Sequence, residues 1–212
     1  MRKSNLIIFF FIVLLNNFVF LNSYSQIYNQ IIVKVGDFAI TSIDVQNEIL
    51  TSLILNKTEI SQENINNYKS FAIKNLISKS IKKSEIDKYQ IKKYNTKDLE
   101  NFVTGIAKNF NTNKNGLKEI FKKNNIDYKV FLQNYETELL WNTLIFEIYR
   151  NQTNINIVDV DNEIQKISEN KNDEELKEIR NSILNKKKEE KLSLFSRSHF
   201  SNLENSIVIE FK

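Results

Sequence analysis

The side chains that usually carry acid–base, metal or thiol chemistry are scarce in this sequence. His199 is the single histidine and cysteine is absent, which excludes a thiol nucleophile and a metal site built from several His or Cys ligands. The three glycines are too widely spaced to form a phosphate-binding loop, and no Walker, GxGxxG or GxSxG motif occurs. Acidic residues are scattered over amphipathic faces, with no apolar setting that would shift the pKa of a pair. We therefore predict neither an enzyme active site nor a cofactor, and we place His199 near the end of a charged helix, where it interacts with the C-terminal dipole.

The net charge of the chain bears on whether nucleic acid is a partner. The formal net charge is +4, and Arg2 and Lys3 supply two of those charges, which leaves +2 on the rest of the chain. A charge this small does not create the positive field that nucleic-acid binding requires. We predict no nucleic-acid partner.

Residues 1–25 have the pattern of an export signal. Arg2 and Lys3 form a positive start, the run Leu6–Leu15 is unbroken and apolar, and Ser23 and Ser25 are small residues at the −3 and −1 positions of a cleavage site. This pattern predicts cleavage between Ser25 and Gln26. The apolar run is shorter than the roughly 20 residues of a membrane span, although a retained N-terminal anchor stays an alternative.

The elements of the remaining chain are organised around a predicted hairpin near its start. Ile31–Val35 is β-branched and apolar, the dipeptide Gly36-Asp37 favours a turn, and a second short strand follows at Phe38–Ile40. Thr41 and Asp44 form a capping box that begins a helix. A two-stranded hairpin is unstable alone, and the other strand-like run of this quality is Ser206–Phe211. We predict that the two runs join in one small sheet.

Helices are predicted between these strands. Apolar periodicity and capping residues indicate Ile43–Leu55, Gln62–Lys88, a helix opened by Asn95-Thr96, a short helix carrying Leu117 and Phe121 after a polar loop that Gly116 closes, and Tyr128 to about Arg150. An extended run at Ile155–Val158, a helix capped by Asp159 and a charged helix at Glu174–Arg197 complete the pattern.

The helix that begins at Tyr128 is the most apolar of these. Beyond Leu139 its apolar residues cover most of the circumference, which indicates either burial on all sides or a face that binds a partner. The sequence alone leaves both interpretations open.

The order of these elements resembles the SurA-type periplasmic chaperones. The resemblance is carried by the Ile31–Val45 hairpin and capped helix behind a signal peptide, the helical block Phe71–Tyr149 with its entry Asn125–Phe131, the lead-out Ile155–Asp159, and the terminal helix and strand Ile179–Phe211. It covers nearly all of residues 26–212. In most members of that family, one or two prolyl isomerase domains separate the lead-out from the terminal helix. The short segment Glu169–Asp173 cannot hold such a domain.

The resemblance implies a mainly α fold, in which a helical chaperone core carries a small β-sheet formed by the N-terminal hairpin and the C-terminal strand. It implies a signal peptide at 1–25, a SurA-like helical module at 26–168, and a C-terminal helix and strand at 169–212 that pack back on this module. The implied function is a periplasmic holdase for unfolded outer-membrane proteins or other exported polypeptides, without isomerase activity and without a membrane segment beyond the signal.

Two further expectations follow. Aromatic side chains suit a client groove because they offer contact area at low entropic cost, and the candidates are Phe110, Phe121, Phe131, Tyr135, Trp141 and Phe146. The alternative function is a non-chaperone envelope scaffold, free or anchored by an uncleaved N-terminal segment.

Overall fold

The structure, a computed structural model, describes residues 29–167 and 172–212. The predicted signal peptide and its cleavage site between Ser25 and Gln26 lie outside these residues. Within the described residues the chain forms seven α-helices and one three-stranded sheet, as the mainly α prediction requires. The strands are β1 (Ile31–Val35), β2 (Phe38–Thr41) and β3 (Ile209–Phe211). The helices are α1 (Ser42–Leu55), α2 (Gln62–Lys88), α3 (Thr96–Asn109), α4 (Lys114–Lys123), α5 (Tyr128–Tyr149), α6 (Ile157–Gln165) and α7 (Asp173–Ser206), with a 3₁₀ turn at Arg150–Gln152.

The sheet has the antiparallel order β2-β1-β3, so the predicted closure of the hairpin with the C-terminal strand is confirmed. Gly36 has a φ of +54° in the turn, a conformation that glycine adopts without steric cost. Val33 and Val35 are fully buried beneath the helices. The predicted strand Ser206–Phe211 is shorter than expected, because Ser206 still belongs to α7 and only Ile209–Phe211 pairs with β1.

The capping box at the start of α1 forms as predicted. The Asp44 carboxylate accepts a hydrogen bond from the Thr41 backbone N–H at 2.8 Å, and the Thr41 hydroxyl accepts one from the Asp44 backbone N–H at 3.3 Å. This cap turns the chain directly from β2 into α1. Helices α1 and α2 then cover the inner face of the sheet, where Val33, Ile49 and Ile81 belong to one hydrophobic cluster.

Two further clusters complete the core. The first joins α1, α3, α4 and α5 around Leu117 and Phe121, both fully buried. The second joins α2, α5 and α7 around Trp141 and Leu144. Because each cluster takes residues from α5, this helix connects the two parts of the core, which explains why apolar residues cover so much of its circumference.

Two local predictions were wrong. Gly116 does not close a loop: Asn113 caps α4, its side chain accepting from the Asn115 and Gly116 backbone N–H groups at 3.0 Å, so Gly116 lies in the first turn. The run Ile155–Val158 is not an extended segment, because Asn156 caps α6 in place of Asp159 and the helix begins at Ile157.

The last helix is longer than the predicted Glu174–Arg197. Helix α7 begins after a capping box of Asn172 and Glu175 and continues to Ser206, since no proline or glycine interrupts it. Its first half contacts α6 through exposed ion pairs such as Arg180–Asp161 at 2.8 Å. Its second half packs Phe200 and Leu203 into the core.

The described residues contain neither a candidate membrane-spanning helix nor a candidate metal-binding cluster. Within residues 29–167 and 172–212, no helix is both long enough and apolar enough to cross a membrane. The same residues contain no cluster of three or more His, Cys, Asp or Glu side chains that could hold a metal ion.

Candidate functional site

An open groove lies between α1, α2, α3 and α5, with a volume of about 300 Å³. We call it the aromatic groove. Its apolar lining consists of Leu55, Phe71, Phe102, Phe131 and Tyr135, and its polar lining of Glu48, Thr51, Ser52, Asn56, Asn75, Lys79, Asn134 and Glu138. These side chains meet because four helices each present one face toward the same hollow.

The aromatic residues of this groove form a continuous wall. Phe102 of α3 stacks parallel on Tyr135 of α5, with the ring centroids 3.5 Å apart, and Phe131 lies one turn before Tyr135 with its ring centroid 5.8 Å from that of Phe102. Phe71 stands on the α2 side with half of its surface exposed (51%). An exposed phenylalanine beside a partly covered aromatic stack offers apolar area to a bound chain.

A buried carboxylate forms part of the polar side of the groove. Glu48 is only 5% exposed, and its carboxylate accepts hydrogen bonds from Lys79 at 2.7 Å, Asn75 at 3.3 Å and Asn134 at 3.4 Å. These partners come from α2 and α5, so one side chain of α1 joins all three helices. A buried charge is tolerated only when it is paired and hydrogen-bonded in this way.

A second groove, of about 410 Å³, adjoins the first. We call it the strand-edge groove, because the residues Phe38, Ala39 and Ile40 of β2 form one wall. Its other walls come from α1, α2 and α5 and carry Asp44, Leu76, Lys79, Ser80, Lys83, Gln133, Asn134, Glu136, Thr137 and Leu140. Lys79 and Asn134 line both grooves, so the two hollows are neighbours across this pair of side chains.

The six aromatic residues predicted for client binding do not form one surface. Phe131 and Tyr135 line the aromatic groove, with Phe131 itself buried. Phe121 and Trp141 are buried core residues. The remaining two lie apart: Phe110 is partly buried beneath the Lys57 ammonium, which is 5.6 Å from its ring centroid, and Phe146 is exposed on α5. Client binding by any of the six stays a prediction.

A polar cluster joins α7 to the rest of the molecule. We call it the helix seat; it consists of Glu85, Trp141, Tyr149 and His199. His199 Nδ1 is 2.9 Å from the Tyr149 hydroxyl, and its Nε2 is 3.3 Å from the Glu85 carboxylate, which is 5% exposed. The Trp141 indole N–H donates to the Ser196 hydroxyl at 2.8 Å. His199 is therefore a packing residue inside α7, and the predicted place near the helix end was wrong.

Burial raises the pKa of the Tyr149 hydroxyl above its ordinary value of 10.0, and the nearby Tyr89 and Glu85 add to the rise. The phenol therefore keeps its proton through the neutral pH range and remains a hydrogen-bond partner of His199. The arrangement anchors α7 to α2 and α5, and none of its residues lines either groove.

Glu48, Phe71, Phe102 and Glu85 were not among the predicted site residues, and the burial of the two carboxylates was not predicted. The sequence does contain a pattern that could have indicated the burial of both carboxylates. Glu48 is the only charged residue of α1 besides the capping Asp44, and Glu85 continues the buried stripe of Ile77 and Ile81 at intervals of four. A charge on the buried stripe of a helix requires a partner, so it marks a tertiary contact.

The comparisons with known proteins gave likenesses of structure alone. No family model matches the sequence, and no curated protein matches it. A solved chain from Campylobacter jejuni is similar, with a TM-score of 0.43 and 16% identity over 87% of this chain and 99% of that chain. The work on that chain describes the virulence factor PEB4 and the periplasmic protein Cj1289 as two structurally related SurA-like chaperones.

Proposed function

We propose that the protein is a periplasmic holdase chaperone, which binds unfolded outer-membrane proteins or other exported polypeptides in transit. The observation that carries this proposal is the aromatic groove, an open hollow lined by the exposed Phe71 and by the Phe102–Tyr135 stack. The order of elements that resembles the SurA-type chaperones in the sequence supports the same function.

The groove is suited to weak and broad binding. A client that buries about 300–400 Å² of apolar surface gains roughly 8–10 kcal/mol before costs. Association and the ordering of the client remove much of this gain, which leaves a dissociation constant on the order of micromolar or weaker. Such binding needs neither ATP nor a catalytic residue, and it releases a client when a stronger partner is present.

We also propose that the protein has no prolyl isomerase activity. Helix α6 ends at Gln165 and α7 begins at Asp173, so only a short stretch of sequence stands where most SurA-type chaperones carry an isomerase domain. A proline-peptide isomerisation assay with the purified protein is expected to give the uncatalysed rate. Clear catalysis would contradict this part of the proposal.

The decisive experiment measures light scattering after an unfolded outer-membrane β-barrel protein is diluted from urea. A stoichiometric amount of the folded protein should suppress the scattering without ATP, while an equal amount of a small globular protein without a groove should not. Scattering that persists at several-fold excess would reject the holdase and favour the envelope scaffold.

Export is tested separately. N-terminal sequencing of protein from the envelope fraction is expected to begin at Gln26, as the signal pattern predicts. A sequence beginning at Met1 would favour the retained anchor.

A further inference from the structure

The hydrogen bonds of β1 show which backbone groups of the sheet face outward. Gly36 N–H donates to the Val208 carbonyl at 3.0 Å and Lys212 N–H donates to the Ile32 carbonyl at 2.9 Å, both across the side of β1 that faces β3. Backbone groups of successive residues in a strand point to opposite sides. The even-numbered residues of β1 therefore bond β3, and Val33 and Val35 bond β2.

The register then identifies the outward residue of β2. Val33 pairs with Ile40 and Val35 with Phe38, so these two residues of β2 direct their N–H and C=O groups toward β1. Ala39, which lies opposite Lys34, directs its N–H and C=O groups the other way. Because β2 is an edge strand of the described sheet, those two groups face the strand-edge groove.

The strand-edge groove has room and chemistry for a further strand. Leu76 and Leu140 contribute apolar surface to the lining, while Gln133 and Thr137 of α5 contribute an amide and a hydroxyl group, the hydroxyl donating to the Gln133 backbone carbonyl at 3.0 Å. The side chain of Ala39 is small and exposed on the outer face, so it does not block a chain that approaches the edge.

We propose that an extended segment of an unfolded client adds to the free edge of β2, pairing its backbone with the N–H and C=O groups of Ala39. This inference rests on the proposed function and names the class of segment that the groove takes: a strand in which apolar and polar residues alternate. In such a strand one set of side chains faces Leu76 and Leu140, and the other faces solvent. Membrane-spanning β-strands have this alternation, whereas an amphipathic helix does not.

The opposite edge of the sheet provides an internal control. The outward backbone groups of β3 belong to Ile209 and Phe211, since Glu210 lies opposite Lys34, an even-numbered residue of β1. An ion pair of Lys212 with Glu210 at 2.8 Å lies along β3. Residues of β3 do not line either groove.

The test uses the mature full-length chain and two ten-residue peptides of identical composition, one with apolar and polar residues alternating and one scrambled to lose the alternation. Binding is measured by fluorescence anisotropy, and amide hydrogen exchange is measured at Ala39. The alternating peptide should bind at least about fivefold tighter than the scrambled peptide, and it should slow exchange at Ala39, whose amide pairs with no strand of the described sheet.

A pair of proline variants tests the same contact by substitution. Ala39→Pro removes only an outward N–H, which an edge strand tolerates, and should weaken binding of the alternating peptide at least about fivefold. The matched variant Phe211→Pro removes an outward N–H from the opposite edge and should bind the peptide as the unmodified protein does. Circular dichroism establishes that both variants are folded.

The possible outcomes separate this inference from the proposed function. If scattering is suppressed but Ala39 exchange and peptide binding by Ala39→Pro are unchanged, strand addition is wrong and the holdase stands. If the protein binds neither peptide nor the unfolded β-barrel protein, both are wrong. If Ala39→Pro fails to fold, the exchange measurement on the unmodified protein decides the question alone.

Discussion

Glu48 and Glu85 are both 5% exposed, yet they belong to regions of opposite character. Glu48 joins α1, α2 and α5 in the wall of the aromatic groove, where Phe71 and Tyr135 remain open to solvent. Glu85 lies in the helix seat, where α7 covers the neighbouring aromatic rings. In both regions a buried carboxylate is hydrogen-bonded to other helices, but Glu48 supports an open groove and Glu85 supports a closed helix contact.

The difference shows how an aromatic-rich chain leaves one hydrophobic surface uncovered. In the helix seat, α7 supplies His199, Phe200 and Leu203, so the apolar faces of α2 and α5 are filled by the protein itself. In the aromatic groove no later element of the described chain takes that position. If the groove is the binding surface, substitutions in the seat should change stability and substitutions in the groove should change binding.

The largest effect on stability is expected from Trp141→Ala in the helix seat. Trp141 is 2% exposed, and its removal leaves a large cavity and an unpaired Ser196 hydroxyl, so the free energy of unfolding should fall by about 3–5 kcal/mol. Urea unfolding followed by circular dichroism measures this. Phe146→Ala, an exposed position on the same helix, is the matched control and should change stability by less than about 0.5 kcal/mol. Equal effects would place Trp141 outside the core.

A smaller effect is expected where the cation of a buried pair is removed. Lys79→Ala takes from Glu48 its closest partner, and although Asn75 and Asn134 remain, the free energy of unfolding should fall by about 1–3 kcal/mol. Lys88→Ala removes the corresponding partner of Glu85, but Lys88 is largely exposed, so the loss should stay below about 0.5 kcal/mol. Chemical denaturation of both variants tests the ranking, and a larger loss for Lys88→Ala would reverse our interpretation of the two carboxylates.

Tyr149→Phe tests the helix seat by its pH dependence. Removal of the hydroxyl that contacts His199 should cost about 0.5–1.5 kcal/mol at neutral pH. The pKa of Tyr149 is raised in the folded protein, so its contribution is complete below the unfolded value of 10.0 and is lost as the pH rises through the folded value. The stability difference between the unmodified protein and Tyr149→Phe should therefore shrink above about pH 10. A stability difference that stays constant up to pH 11 would show that ionisation of the Tyr149 phenol does not affect folding stability.

Phe71→Ala is expected to have the smallest effect on stability and a clear effect on binding. Its ring is half exposed, so the free energy of unfolding should change by less than about 0.5 kcal/mol. Loss of the ring should weaken suppression of light scattering several-fold, because the client loses apolar contact area. The exposed Val208→Ala serves as a control outside both grooves. Unchanged suppression by Phe71→Ala would exclude the aromatic groove as the binding surface.

Local signals in the sequence were sufficient to predict most of the fold. The hairpin turn at Gly36-Asp37, the Thr41–Asp44 capping box and the helix over Gln62–Lys88 all form as their residue patterns predict. Sheet closure was also predictable, because a lone hairpin must find a further strand. These features depend on neighbouring residues or on a single requirement for pairing.

The grooves were less predictable because they depend on how distant helices face one another. Phe121 and Tyr135 both appear on apolar stripes, yet Phe121 is fully buried against aromatic rings of α5 and Tyr135 lines the groove. The end of α7 was missed for a related reason: tertiary burial of Phe200 and Leu203 continues the helix where the charged pattern stops. Periodicity shows which face is apolar, but it does not show what covers that face.

The pairing of β1 with β3 has a consequence for folding during synthesis on the ribosome. The hairpin is made first and Ile209–Phe211 last, so one side of β1 stays unpaired until nearly all of the described chain has been synthesised. The entropic cost of closing so long a loop grows slowly, by only about 0.6 kcal/mol for each doubling of length, so the delay concerns timing more than equilibrium. A chain cut short by early termination would lack β3, so the backbone N–H and C=O groups on that side of β1 would stay unpaired and open to another strand.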